Sequence, residues 1–285
     1  MKSELFYKYI TVCFDRLEKS HGEYLQVPDN KCLFRFRVEI KKIRACLKCI
    51  ESYQGKKEFK KPRAQFRKIF SKAGCLRELK IYLSWFRRHH LMRVAKLIHL
   101  EGEINKKHCQ FTGASAMIKD TVKDNRKLIL NKAKHISQEQ VFKFYLQMLR
   151  ERLELLQKEL VKGKWHKIRK QFKLVLYARH WQDEKGLKVL SKTQALFLDQ
   201  LQHIIGDWHD NEIMMNWLKN EQEKAGNKTG KDPSNSKKTK AGTTEREKDA
   251  LAFEKAIKLM EEARIVLEAR VIKKSKLSDK VLKTL

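Results

Sequence analysis

The sequence predicts an all-α protein assembled from two halves of one plan, and three observations carry that reading. Breakers are scarce, with 3 prolines and 11 glycines in 285 residues, so little interrupts helix. Apolar residues recur three and four apart along most of the chain, which is the helical period. Sliding the chain on itself by 132 residues lays 166–218 over 34–86 without a gap. The identities are Arg37, Lys41, Lys56, Lys60, Gly74, Ile81 and Trp85, 7 of 53 positions. Few as they are, they fall in register: Phe36 meets Ile168, Ile43 meets Val175, Phe66 meets Leu198, Arg35 meets Lys167 and Lys48 meets His180. Such an offset divides the chain into half-repeats at 1–136 and 137–285.

The first predicted helix covers 3–19, with Leu5, Phe6, Tyr9, Val12, Cys13 and Leu17 on its apolar side. Pro28-Asp29-Asn30 marks a turn and the start of a second helix over 30–53, whose apolar face is Leu33, Phe36, Ile40, Ile43, Leu47 and Ile50. Pro62, tolerated in a first turn, opens a third helix that contains Phe66, Ile69 and Phe70 and ends near Gly74. Another starts by Leu76. Two or three helices fill 91–160, with breaks at Phe111-Thr112-Gly113, where Ser115 is a candidate cap, and near Ser137. Three more are placed at 164–183, 187–205 and 208–222. Residues 221–244 are almost devoid of apolar side chains and read as a disordered loop, after which a last helix resumes near Glu247.

With 41% hydrophobic residues the chain has enough apolar surface for a core, and its net charge of +31 points to a polyanionic partner. No stretch is long and apolar enough to span a membrane, and Met1–Ser20 mixes Glu4, Lys8, Asp15 and Arg16 into its apolar pattern, unlike a signal peptide. A cytoplasmic protein is therefore expected. The six cysteines (Cys13, Cys32, Cys46, Cys49, Cys75, Cys109) include one C-x-x-C without a second ligand pair, so buried reduced thiols are expected rather than a metal site.

Arg37, Lys41, Arg44 and Lys48, spaced four, three and four, line one helix face over roughly 16 Å. Their counterparts in the second half are Arg169, Lys173 and His180, with His166 one turn ahead. Like charges on one face cost a few tenths of a kcal/mol per pair, a strain that an anion relieves. A merely solvated face would interleave acids. Only Glu39 and Glu51 occur between Asp29 and Glu58, so binding is the better reading.

The pair His209-Asp210 admits a His-Asp phosphohydrolase as an alternative. A local reading competes with it: Gly206 ends one helix, Asp207 caps the next, and Asp210 sits in that helix's first turn, where the dipole favours an acid. No phosphate-binding G-x-x-x-x-G-K, no G-x-S-x-G and no H-E-x-x-H occurs. Nothing in these motifs argues for an enzyme or for a cofactor.

The repeated residues resemble the CHAD family, a helical domain named for its histidines, whose signature H-x-L-R-I-x-x-K-R-L-R-Y is followed by L-G-D-x-x-D. The second copy reads His166, Ile168, Arg169, Lys173 and Tyr177, then Ile205-Gly206-Asp207 and Asp210. The first reads Phe36-Arg37-Val38 and Lys41-Lys42-Ile43-Arg44, then Gly74 and Arg77-Glu78. The resemblance implies two pseudo-twofold-related four-helix bundles and a basic groove, lined by helices of both halves, that binds inorganic polyphosphate. Its site residues would be Arg37, Lys41, Arg44, Lys48, His166, Arg169, Lys173, Tyr177 and His180. Phe34 stands where the first histidine belongs, Glu78 and Lys80 replace acids, and Leu174 and Leu176 replace basic residues. These departures shift weight to the first half. Non-specific nucleic-acid binding is the alternative that charge alone does not separate; single strands favour exposed rings, whereas the aromatics here fall mostly on apolar faces. The reading extends to residence at polyphosphate granules.

Overall fold

The computed structural model describes residues 4–88, 96–161, 165, 167–170, 173, 176, 192–227 and 258, and every regular element among them is helical. The helices are α1 (Glu4–Gln26), α2 (Asn30–Gln54), α3 (Lys60–Arg88), α4 (Lys96–Gly113), α5 (Ser115–Ala133), α6 (Gln138–Val161) and α7 (Lys192–Asn227). None is long and apolar enough to cross a membrane, among the described residues. Two compact units emerge: Met1–Trp85 with Ile98–Glu151 and Tyr177–Leu187, and Phe86–Leu97 with Arg152–Leu176 and Lys188–Leu285.

The first unit is organised on α1 and α2. Phe6, Ile10, Phe14, Leu17 and Tyr24 of α1, and Leu33, Phe36, Ile40, Ile43, Leu47 and Ile50 of α2, are buried at helical spacing. Each such side chain contributes roughly 1.5–3 kcal/mol of transfer free energy, so this pair dominates the core. Phe66 of α3 lies 6.3 Å from Phe14, and Phe111 of α4 meets Phe36 edge-on at 5.8 Å. α5 packs on both α1 and α2 and adds a polar clamp, Arg126 to Asp15 at 2.6 Å and to Glu18 at 3.1 Å. The break at Ser137 is a reciprocal cap. The Gln140 amide donates to Ser137 Oγ at 3.1 Å and the Ser137 amide donates to Gln140 Oε1 at 2.8 Å.

Several elements differ from the expectation drawn from sequence. α1 runs to Gln26, because His21 and Tyr24 continue its buried face beyond Leu17. Ser115 is the first residue of α5 and not its cap; Ala114 holds that place with no side-chain bond. α3 and α7 each pass unbroken through the glycines expected to end helices, Gly74 and Gly206. Asp207 and Asp210 therefore lie inside α7, where neither cap nor first-turn dipole applies. The supposed loop is helical over 221–227, where Glu-Gln-Glu-Lys-Ala are good helix formers; 228–244 lies outside the described residues, as does the helix expected from Glu247, save helical Lys258. Cys75 and Cys109 are exposed, unlike the other four free cysteines. Burial raises the thiol pKa of Cys13 to about 12 and pushes Cys46 and Cys49 up as well, which makes them inert.

Candidate functional site

The first unit concentrates its cations where α2 turns into α3. Gly55 ends α2 with φ 84°, its amide donating to Glu51 O at 3.1 Å, a backbone conformation that glycine adopts without strain. Four residues later Phe59 is fully buried and its carbonyl accepts the Arg63 amide at 3.0 Å, so the short connection is pinned at both ends. The end of α2 is held too, since Gln54 Nε2 donates to Lys132 O and Tyr53 Oη to Gln140 O, each at 2.8 Å. Lys56 and Lys57 are thereby left exposed beside the first turns of α3.

The result is a recess of about 410 Å³ lined by Arg44, Lys56, Lys57, Lys60, Arg63 and Arg67, with Ala64 as the remaining lining residue. Of the two acids beside it in sequence, one is engaged elsewhere and the other holds a cation of the recess itself. Glu58 pairs with Lys132 of α5, and buried Glu51 takes Arg63 Nη1 at 3.2 Å. Burial raises the Glu51 carboxyl pKa, against the opposing pull of Arg63, Lys48 and Lys56. Arg44 is depressed by burial first and by the repulsion of Arg67 and Arg63 after it. A recess lined by six cations is a region of positive potential.

Arg44 also joins the recess to the stripe on α2. The Phe70 ring of α3 collects three stripe cations: Arg37 Cζ at 4.2 Å from the centroid, Lys41 Nζ at 5.4 Å and Arg44 Cζ at 5.8 Å. Such cation–π seats are worth about 0.5–1 kcal/mol each when exposed. Arg37 Nη1 donates in addition to Phe70 O at 3.4 Å. These three residues are half-buried and not freely exposed, and Lys48 is exposed but does not line the recess.

In the second unit Arg169 lies against Gly206: a Cβ built on that glycine would stand 2.9 Å from Arg169 Nη2 and 3.1 Å from Nε. Lys173 is half-buried on the same helical stretch. His166, Tyr177 and His180 lie outside the described residues. The positions that match the recess cations Arg44, Arg63 and Arg67 at the 132-residue offset are Leu176, Ala195 and Asp199, so the second copy lacks that cluster. Among the described residues no three His, Cys, Asp or Glu side chains gather as a metal would require.

Sequence reasoning missed Lys56, Lys57, Lys60, Arg63 and Arg67. A signal was present: 56–68 holds seven Lys or Arg against the single acid Glu58, and Lys56 and Lys60 recur at the repeat offset. The stripe overshadowed it because the cluster straddles a turn and has no single period.

Fold and face together define an all-helical domain with a cationic surface. The CHAD domain family model matches residues 8–219, and the chain belongs to that family. It is similar in fold to the crystal structure of the CHAD domain from the plant Ricinus communis, with a TM-score of 0.66 and 16% identity over 94% of this chain and 89% of that one. Comparison with curated protein sequences gives no match.

Proposed function

We propose that this chain binds inorganic polyphosphate electrostatically and carries out no reaction on it. The observation that supports the reading best is the recess of Arg44, Lys56, Lys57, Lys60, Arg63 and Arg67, six cations with no carboxylate in the lining. A flexible chain of phosphates, each charged and lacking bases, matches a site that offers charge without a reading frame of hydrogen-bond acceptors. The Phe70 cluster extends this surface by Arg37 and Lys41. Residence in the cytoplasm at polyphosphate granules follows from the same reading.

One feature favours a second reading, single-stranded nucleic acid. Phe34 is 53% exposed and lies two helical turns before Lys41, on the side of α2 that carries the stripe. An exposed ring beside cations is a stacking platform for a base.

Competition at physiological salt separates them. Polyphosphate should displace a single-stranded oligonucleotide from the intact protein, and K56E/K57E/K60E should abolish polyphosphate binding while the circular dichroism stays helical. If the oligonucleotide displaces polyphosphate and Phe34→Ala removes that advantage, the second reading holds. If the triple variant binds polyphosphate as the parent does, the recess is not the site.

A further inference from the structure

A second recess, of about 480 Å³, opens on the other flank of α3, between it and α4. Its cations are Arg67, Lys68 and Lys72 of α3 and Lys107 of α4; Gln110 lies beside Lys107 at 3.5 Å and no carboxylate lines it. Arg67 and Ala64 line both recesses, so the two meet across the exposed side of α3. From Lys60 to Lys72 that side spans about 18 Å. None of these second-recess cations belongs to the stripe read from sequence, and the floor is the core ring Phe111, which fixes the position of α4.

We infer that the second recess is an extension subsite, in which Lys68, Lys72 and Lys107 hold the distal phosphates of a long polyphosphate that enters the first recess and crosses α3 at Arg67. The inference rests on the polyphosphate reading and adds to it a dependence on chain length. A ligand confined to the first recess gains nothing from Lys72 and Lys107. One that crosses α3 gains both charges and releases more counterions. Cys75 lies in the lining of the second recess and is exposed, so its thiol reports occupancy. Cys109 is exposed as well, and it stands about 200° around α4 from Lys107, turned away from the recess.

The test uses the full chain with sodium tripolyphosphate and with a long-chain polyphosphate, measuring affinity for each and the iodoacetamide alkylation rate at Cys75 and Cys109 by peptide mass spectrometry. Long chains should slow Cys75 alkylation several-fold and leave Cys109 unchanged, while saturating tripolyphosphate protects neither. K72E/K107E should lower long-chain affinity by about tenfold or more, the scale of two lost phosphate contacts, and leave tripolyphosphate affinity within about twofold. Lys68→Ala, on an exposed side chain, should act in the same direction without risk to the fold. Equal long-chain affinity in parent and K72E/K107E, with Cys75 unprotected, overturns the extension subsite. An equal loss for both ligands overturns it too, because the second recess would then be the primary site. Failure of the parent to bind either polyphosphate is a different result, and it defeats the functional reading itself.

Discussion

The guanidinium of Arg37 rests on Gly74: a Cβ built on that glycine would overlap Nη1, with Cζ 3.3 Å away. α3 thus uses a glycine mid-helix to admit a side chain from α2, and Arg37 is then held by the Phe70 ring and carbonyl. Arg169 and Gly206 make the same contact in the second unit, at positions 132 residues on. A glycine inside a helix costs about 1 kcal/mol relative to alanine, so each position gives up helix stability for the seat of an arginine.

Gly74→Ala should consequently leave global stability nearly unchanged, because the helix gain of about 1 kcal/mol is offset when Arg37 is displaced. In an Arg37→Ala background the same change should stabilise by about that full amount. Urea midpoints of the four proteins check this. A stabilisation of equal size in both backgrounds would show that the contact carries no energy.

Phe70→Leu keeps apolar volume but removes the ring shared by Arg37, Lys41 and Arg44. Stability should fall by about 1–2 kcal/mol, and polyphosphate affinity should weaken several-fold as the three cations lose their common orientation. Isothermal titration reads the second effect. Unchanged affinity would mean that the stripe cations act only by long-range charge.

The recess and the stripe differ in what salt reveals. Replacing Lys56, Lys57 or Lys60 with Gln should reduce the slope of log affinity against log salt by about one each. Lys48→Gln, exposed and outside the recess, should change it less. A larger effect at Lys48 than at the three recess lysines would return the site to the stripe as read from sequence.

Acid should destabilise the fold through His21. This histidine is buried among Phe36 at 5.4 Å and Phe111 at 5.8 Å, and burial, with Lys119 adding repulsion, lowers its pKa from 6.5 to about 4. The unfolded chain binds the proton first, so the stability held by the neutral ring is complete above 6.5 and is lost as pH falls toward 4. Between about pH 7 and about pH 4.5 the loss should be on the order of 2 kcal/mol. His21→Leu should remove that part of the pH dependence in denaturation curves. An identical acid loss in parent and variant would assign it to other groups.

The all-helical class, the apolar faces of α1 and α2 and the basic side of α2 were legible in the sequence, because each is a local periodic pattern that the 3.6-residue repeat reveals. Family membership was legible for the same reason, since its signature residues sit at fixed spacing on those faces. What Gly74 and Gly206 do was not legible. A glycine that stops a helix and one that admits an arginine carry the same local signal, and only the partner, 37 residues back in both cases, decides between them. The recess was hidden likewise. Lys56 and Lys57 reach Arg44, Arg63 and Arg67 only after Gly55 turns the chain, Phe59 is buried and Glu58 is drawn off to Lys132. Charge composition carried only the expectation of a polyanion partner; the place where the charges converge was set by tertiary packing, because electrostatic strength depends on distances that no spacing along one helix contains.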